Sequence, residues 1–249
     1  MFTKEKRLGK LAFYWLGLSF QGGVLNMAGF IAAHRFISHM TGVASNLALD
    51  FYGGAVAEVM AFGSILLCFL MGSMVTAFFV RKGLKLTARY EKVFLLLVVL
   101  VGLAFVLGVS GLLGDYRALD KNLNHYAFSV FLSFICGMQN ALFGVKSGLV
   151  VRTTHMTGTV TDLGHGLVNV LFRRSYSEQE HRMEVVHNWL RAGSFLCFVL
   201  GGLTGAFLFS SFQFRALLLP WVIYGIYYVD ARRFSLKFNK EFNGESGAA

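Results

Sequence analysis

The sequence predicts an all-α integral membrane protein of about six transmembrane helices. They are expected to form two inverted three-helix repeats, each interrupted by a polar re-entrant or broken-helix segment that opens with His-Met-Thr-Gly. Three observations predict this. Only 14% of the 249 residues are charged and 55% are hydrophobic, with a mean hydropathy of +0.59. A soluble domain carries about a quarter charged residues, so there are too few to cover a water-facing surface. Several apolar runs approach or exceed the roughly 18 to 20 residues that cross a bilayer. They are continuous, without the alternation of barrel strands. The tetrapeptide His-Met-Thr-Gly occurs twice, at 39–42 and at 155–158.

The first apolar run, 11–33, follows Lys4, Lys6, Arg7 and Lys10. It is longer than a signal-peptide core of roughly 7 to 15 residues, so this helix is expected to stay in the protein. The next runs are 55–80, 93–113 and 126–151. The segment 175–191 reads as a surface amphipathic helix, with Met183, Val186 and Leu190 on one face. The runs 193–212 and 216–229 follow. The last is short for a span, and Pro220 is expected to bend it near its start. Its Trp221, Tyr224, Tyr227 and Tyr228 resemble an interfacial aromatic belt. The organisation expected is a first repeat over 1–113, a second over 114–234 and a disordered cytoplasmic tail over 235–249.

Charge orients the spans. The connection 81–92 holds five basic residues and one acid. With six spans and a cytoplasmic N-terminus, only Arg35, Arg117, Lys121 and Arg215 of the 23 Lys and Arg lie towards the outer face. This is the positive-inside pattern of a multi-pass protein in a bacterial inner membrane, with both termini cytoplasmic. The formal charge of +10 is thereby assigned to orientation and anionic lipid, with no nucleic-acid partner. An eight-span arrangement would put 81–92 outside, against that pattern.

The two halves align. "GGVLN" (22–26) matches "CGMQN" (136–140), and "HMTGVASNL" (39–47) matches "HMTGTVTDL" (155–163). "FLMGSMVTAF" (69–78) resembles "FVLGGLTGAF" (198–207) in the order of its glycines and threonine. Three matches in the same order point to internal duplication. Each half holds three spans, an odd number, so the second would insert upside down relative to the first. Inverted repeats of this kind recur in secondary transporters, where interrupted helices build a site near the bilayer midplane.

The stretches "GGVLNMAGFIAAHRFISHMTGVASNLAL" and "HMTGTVTDLG" resemble the signature of the YoaK-like family of bacterial inner-membrane proteins. The resemblance covers nearly the whole chain. It implies a small multi-span membrane protein and brings no activity with it. One departure is visible: the family pattern has Asn after the first Met-Thr-Gly, where this chain has Val43.

Asn26 and Asn140 sit near the middle of the first and fourth runs, with Gln21 and Gln139 close by. A buried amide needs hydrogen-bond partners. These amides either hold helices together, with glycines allowing close contact, or line a central site. His39 with Thr41 and His155 with Thr157 give each half one histidine, a group that titrates near neutrality. The alternative is a helix cap at each Thr-Gly step. Asp162, His165 and Asn169 share one helical face, and Asn46 stands where the second half has Asp162. An acid near the membrane is costly, and Asp162 with His165 could relay protons; a polar cytoplasmic face is the competing account. Candidate substrate-binding residues are therefore Asn26, His39, Thr41, Asn46, Asn140, His155 and Thr157, and candidate proton-coupling residues Asp162 and His165. Cys68, Cys136 and Cys197 lie in apolar runs and read as small hydrophobes. No cofactor is expected, no third metal ligand is spaced with Asp162 and His165, and no phosphate-binding loop or nucleophile elbow is present. The reading is a secondary transporter or exporter of a small solute, with a homodimer considered because six spans enclose little volume. A dimeric channel and a membrane-embedded enzyme acting on lipid are the alternatives.

Overall fold

The computed structural model describes residues 2–80, 86–114, 116, 123–142, 155–172 and 177–245. Among them the chain is all-helical: α1 Phe2–Ala33, α2 Met40–Tyr52, α3 Val56–Val80, α4 Leu86–Val109, α5 Leu123–Ala141, α6 Met156–Leu171, α7 Glu178–Phe212 and α8 Leu218–Glu245. A short 3-10 turn, Gln213–Leu217, joins the last two. Among the described residues four helical stretches are long and apolar enough to cross a membrane: Ala12–Ala33, Val56–Val80, Tyr90–Val109 and Glu178–Arg233. The last contains α7, the turn and part of α8.

The expected elements shift in three places. The surface helix over 175–191 and the run 193–212 are one 35-residue helix, α7. Its start is fixed by a capping box in which the Ser177 side chain accepts from the Glu180 N–H and Glu180 reaches back to the Ser177 N–H. Nothing breaks the helix where polarity ends, because charged straight-chain residues propagate helices as well as apolar ones do. For the same reason α8 runs past the end of its apolar stretch to Glu245. Pro220 does not bend α8. It lies in the first turn, where its missing N–H has no intrahelical acceptor to lose. Residues 143–151 of the run 126–151 lie outside the described residues; α5 itself ends at Ala141.

Two close crossings hold the molecule together. α1 packs on α7 and α3 packs on α5, while α4 lies against α8. Each of the first two crossings is made by a Phe-x-x-Gly step on both helices. A Cβ on Gly23 of α1 would collide with the Phe198 carbonyl of α7, and one on Gly201 of α7 with the Phe20 carbonyl of α1. In the other crossing, Gly72 of α3 meets the Phe134 carbonyl of α5, and Gly137 of α5 meets the Phe69 carbonyl of α3. Backbone against backbone is possible only without side chains at those points, the usual means by which helices associate where lipid offers no hydrophobic drive. α2 rests on α3, and α6 on α7.

The two ends close differently. Tyr116 is fully buried and donates to the Ala28 carbonyl at 2.6 Å, packed among Phe128, Phe209 and Phe214. Near the same end Arg35 pairs with Glu58, with its guanidinium 4.1 Å from the centre of the Phe62 ring. At the other end Tyr14 donates to Asp230 and stacks on Phe94. Large apolar side chains such as Leu67, Phe78, Leu196, Leu203 and Phe207 are exposed on the outward faces. In water such a surface would drive aggregation; in lipid it is the solvated one.

Candidate functional site

α1 ends at Ala33 and α5 at Ala141, and each is followed by a short helix that starts with the repeated tetrapeptide. α2 has 13 residues and α6 has 16, about 20 and 24 Å of helix, too short for a hydrocarbon core about 30 Å thick. Their first turns have the same construction. His39 and His155 are the N-cap residues, with φ, ψ of −92°, 73° and −88°, 64°. Neither side chain caps its helix. Instead each imidazole folds over the glycine three residues on: a Cβ on Gly42 would strike Nδ1 of His39, and one on Gly158 would strike Nδ1 of His155. That is the physical reason for glycine in the tetrapeptide. One turn later Ser45 donates to the Thr41 carbonyl and Thr161 to the Thr157 carbonyl, each at 3.0 Å.

These two helix starts face one cavity of about 440 Å³. Asn26, His39 and Thr41 line it from the first half, and Asn140, His155 and Thr157 from the second. Asn26 is buried, and its Oδ1 accepts from the Ser38 N–H at 3.3 Å and the Ser38 hydroxyl at 2.9 Å. Oδ1 of Asn140 is buried and has no partner among the described residues. The cavity draws six of the nine candidate residues together. Asn46, Asp162 and His165 do not line it. Asn46 and His165 are exposed and Asp162 is half-buried, and among the described residues no hydrogen bond or ion pair joins Asp162 to His165. A larger open groove of about 520 Å³ runs along α1 and α8 between Phe13, Val222 and Ile226. Among the described residues its one carboxylate, Asp230, is engaged by Tyr14.

The amides divide by role. Gln21 donates through Nε2 to the Pro220 carbonyl at 2.9 Å; Gln139 donates to the Leu18 carbonyl at 2.9 Å and accepts from Tyr224 at 2.5 Å. The glutamines tie helices together, while the asparagines border open space. Sequence reasoning missed the apolar wall formed by Phe36, Phe69 and Phe198. A signal existed, since Phe69 and Phe198 each open a matched repeat segment. It also missed the pairing of Arg35 with Glu58, which are 23 residues apart in the chain. Cys68, Cys136 and Cys197 are free, as expected of small apolar side chains, and only Cys136 is fully buried. Among the described residues no cluster of three or more His, Cys, Asp or Glu could hold a metal ion.

No curated protein matches the chain. No solved structure matches it. One family model, described as protein of unknown function DUF1275, matches residues 14–229. That span includes both crossings and every residue of the cavity, and the chain belongs to the DUF1275 family.

Proposed function

We propose that this protein is a small secondary transporter or exporter, moving a small solute by alternating access between two inverted repeats. The observation that carries the reading is the shared cavity: corresponding residues from the two halves, Asn26 with Asn140, His39 with His155 and Thr41 with Thr157, border one space. The crossings support the repeat. Exchanging the halves maps Phe20 and Gly23 onto Phe134 and Gly137, and Phe69 and Gly72 onto Phe198 and Gly201, so that one crossing becomes the other. In this reading α1, α3, α4, α5, α7 and α8 span a bacterial inner membrane. α2 and α6 enter it part-way, from opposite faces, and both termini are cytoplasmic. Short polar helices at membrane depth survive only where protein or a wet cavity covers them. The YoaK-like resemblance of the paired motifs fits the same picture, and a homodimer remains part of the proposal.

A test needs no known substrate. In a variant without native cysteines, Thr41→Cys and Thr157→Cys are each exposed to a membrane-impermeant maleimide in right-side-out and inside-out vesicles. Alternating access predicts labelling of both positions from both sides. Labelling from one side only, or protection from both, would sink the transport reading. Proton coupling through Asp162 and His165 is the finer part of the proposal. Asp162→Asn is expected to remove gradient-driven accumulation while leaving expression intact; accumulation that survives takes the pair out of the mechanism.

A further inference from the structure

The cavity also carries information about the charge of its ligand. Among the described residues its lining holds no Asp, Glu, Lys or Arg. Its polar edge is made of two helix beginnings, the N-cap and first two residues of α2 and of α6, together with Asn26, Ser38 and Asn140. The first N–H groups of a helix lack an intrahelical acceptor, and the end carries about half a positive charge. Here neither end has a side-chain cap to occupy those donors.

A second observation is independent of the helix ends. Asn26 is 8% exposed, and its Oδ1 is taken by Ser38. Its Nδ2 has no partner among the described residues, and the side chain borders the cavity. The group is placed for an acceptor that arrives with a ligand. Across the cavity Phe36, Phe69 and Phe198 supply an apolar wall. A volume of about 440 Å³ lies within the range of small-molecule sites.

We infer that the cavity binds a small organic monoanion with an apolar body, an inference that rests on the proposed reading of this cavity as the solute site. The oxyanion lies between the starts of α2 and α6. It accepts from the free backbone N–H groups, from the imidazoles of His39 and His155 and from Nδ2 of Asn26. The apolar body lies on the phenyl wall. An organic cation would meet two positive helix ends, the neutral amide Oδ1 of Asn140 as an acceptor and, among the described residues, no carboxylate.

The experiment uses the full-length protein in detergent and three probes of one shape: benzoate, benzyl alcohol and benzylamine. The readout is the thermal unfolding midpoint by tryptophan fluorescence. Benzoate is expected to raise the midpoint in a saturable way, with benzyl alcohol and benzylamine well behind. Asn26→Leu should weaken the benzoate response by about tenfold, the effect of one lost hydrogen bond to a charged group. His155→Phe serves as a second variant, so that a folding defect in one leaves the test standing. A benzylamine response equal to or larger than that of benzoate overturns the inference, as does no response to benzoate, or a benzoate response unchanged in both variants. One-sided maleimide labelling alongside an intact benzoate response would remove transport and keep the anion site.

Discussion

Gln21 and Asn26 lie five residues apart on α1 and work differently, although composition treats them alike. Gln21 donates its amide N–H to a backbone carbonyl of α8 and so ties α1 to that helix. Asn26 uses one end of its amide on Ser38 and turns the other to the cavity. Arg35 and Glu58 make a third kind of polar contact. Their side chains are 11% and 17% exposed, and Tyr126 lies within 3.5 Å of both. Breaking such a pair leaves the other charge uncompensated, so Arg35→Met alone, or Glu58→Leu alone, is expected to cost about 3–5 kcal/mol. Replacing both residues by apolar ones of similar volume, Arg35→Met with Glu58→Leu, should cost far less. Equilibrium unfolding of the four proteins of this cycle checks the pair, and simple additivity would show that the two residues act separately.

At the scale of elements, the helix crossings depend on what is missing at four glycines. Gly23, Gly72, Gly137 and Gly201 each press on a carbonyl of the facing helix, and backbone cannot move aside as a side chain can. Gly137→Val and Gly201→Val are each expected to cost about 1–3 kcal/mol or more. Gly63→Ala serves as the control, since nothing lies within 4 Å of its added carbon. A gain of helix propensity of up to about 1 kcal/mol is expected there. Thermal unfolding of the purified variants orders them, and Gly137→Val as stable as the parent would contradict the crossing. Much of this level was legible in the chain. Both short helices start at the repeated His-Met-Thr-Gly, and the four crossing glycines stand inside the matched segments. Helix ends were less legible. The sequence marks where polarity changes, near 193 and 229, whereas helices begin and stop by backbone hydrogen bonding, as the Ser177 capping box shows.

For the whole molecule, the proposed six-span arrangement sets both termini on the cytoplasmic side. Fusions of a reporter active only in the cytoplasm, placed before residue 1 or after residue 249, should both be active. Activity in one and not the other would require an odd number of spans and would undo the inverted repeat. By itself the sequence determined the all-helical character with its long apolar runs, the paired motifs and six of the residues that border the cavity. These are properties of order along a line: the length of an apolar run, the spacing of a motif, the recurrence of a tetrapeptide. Only the tertiary structure decided that the asparagines face the cavity while the glutamines bind helices together. It alone set Asp162 and His165 outside that space and brought Arg35 to Glu58. The rotation of each helix about its axis makes that difference. It is set by which glycine meets which carbonyl on a neighbour far away in the chain, and no local pattern records it.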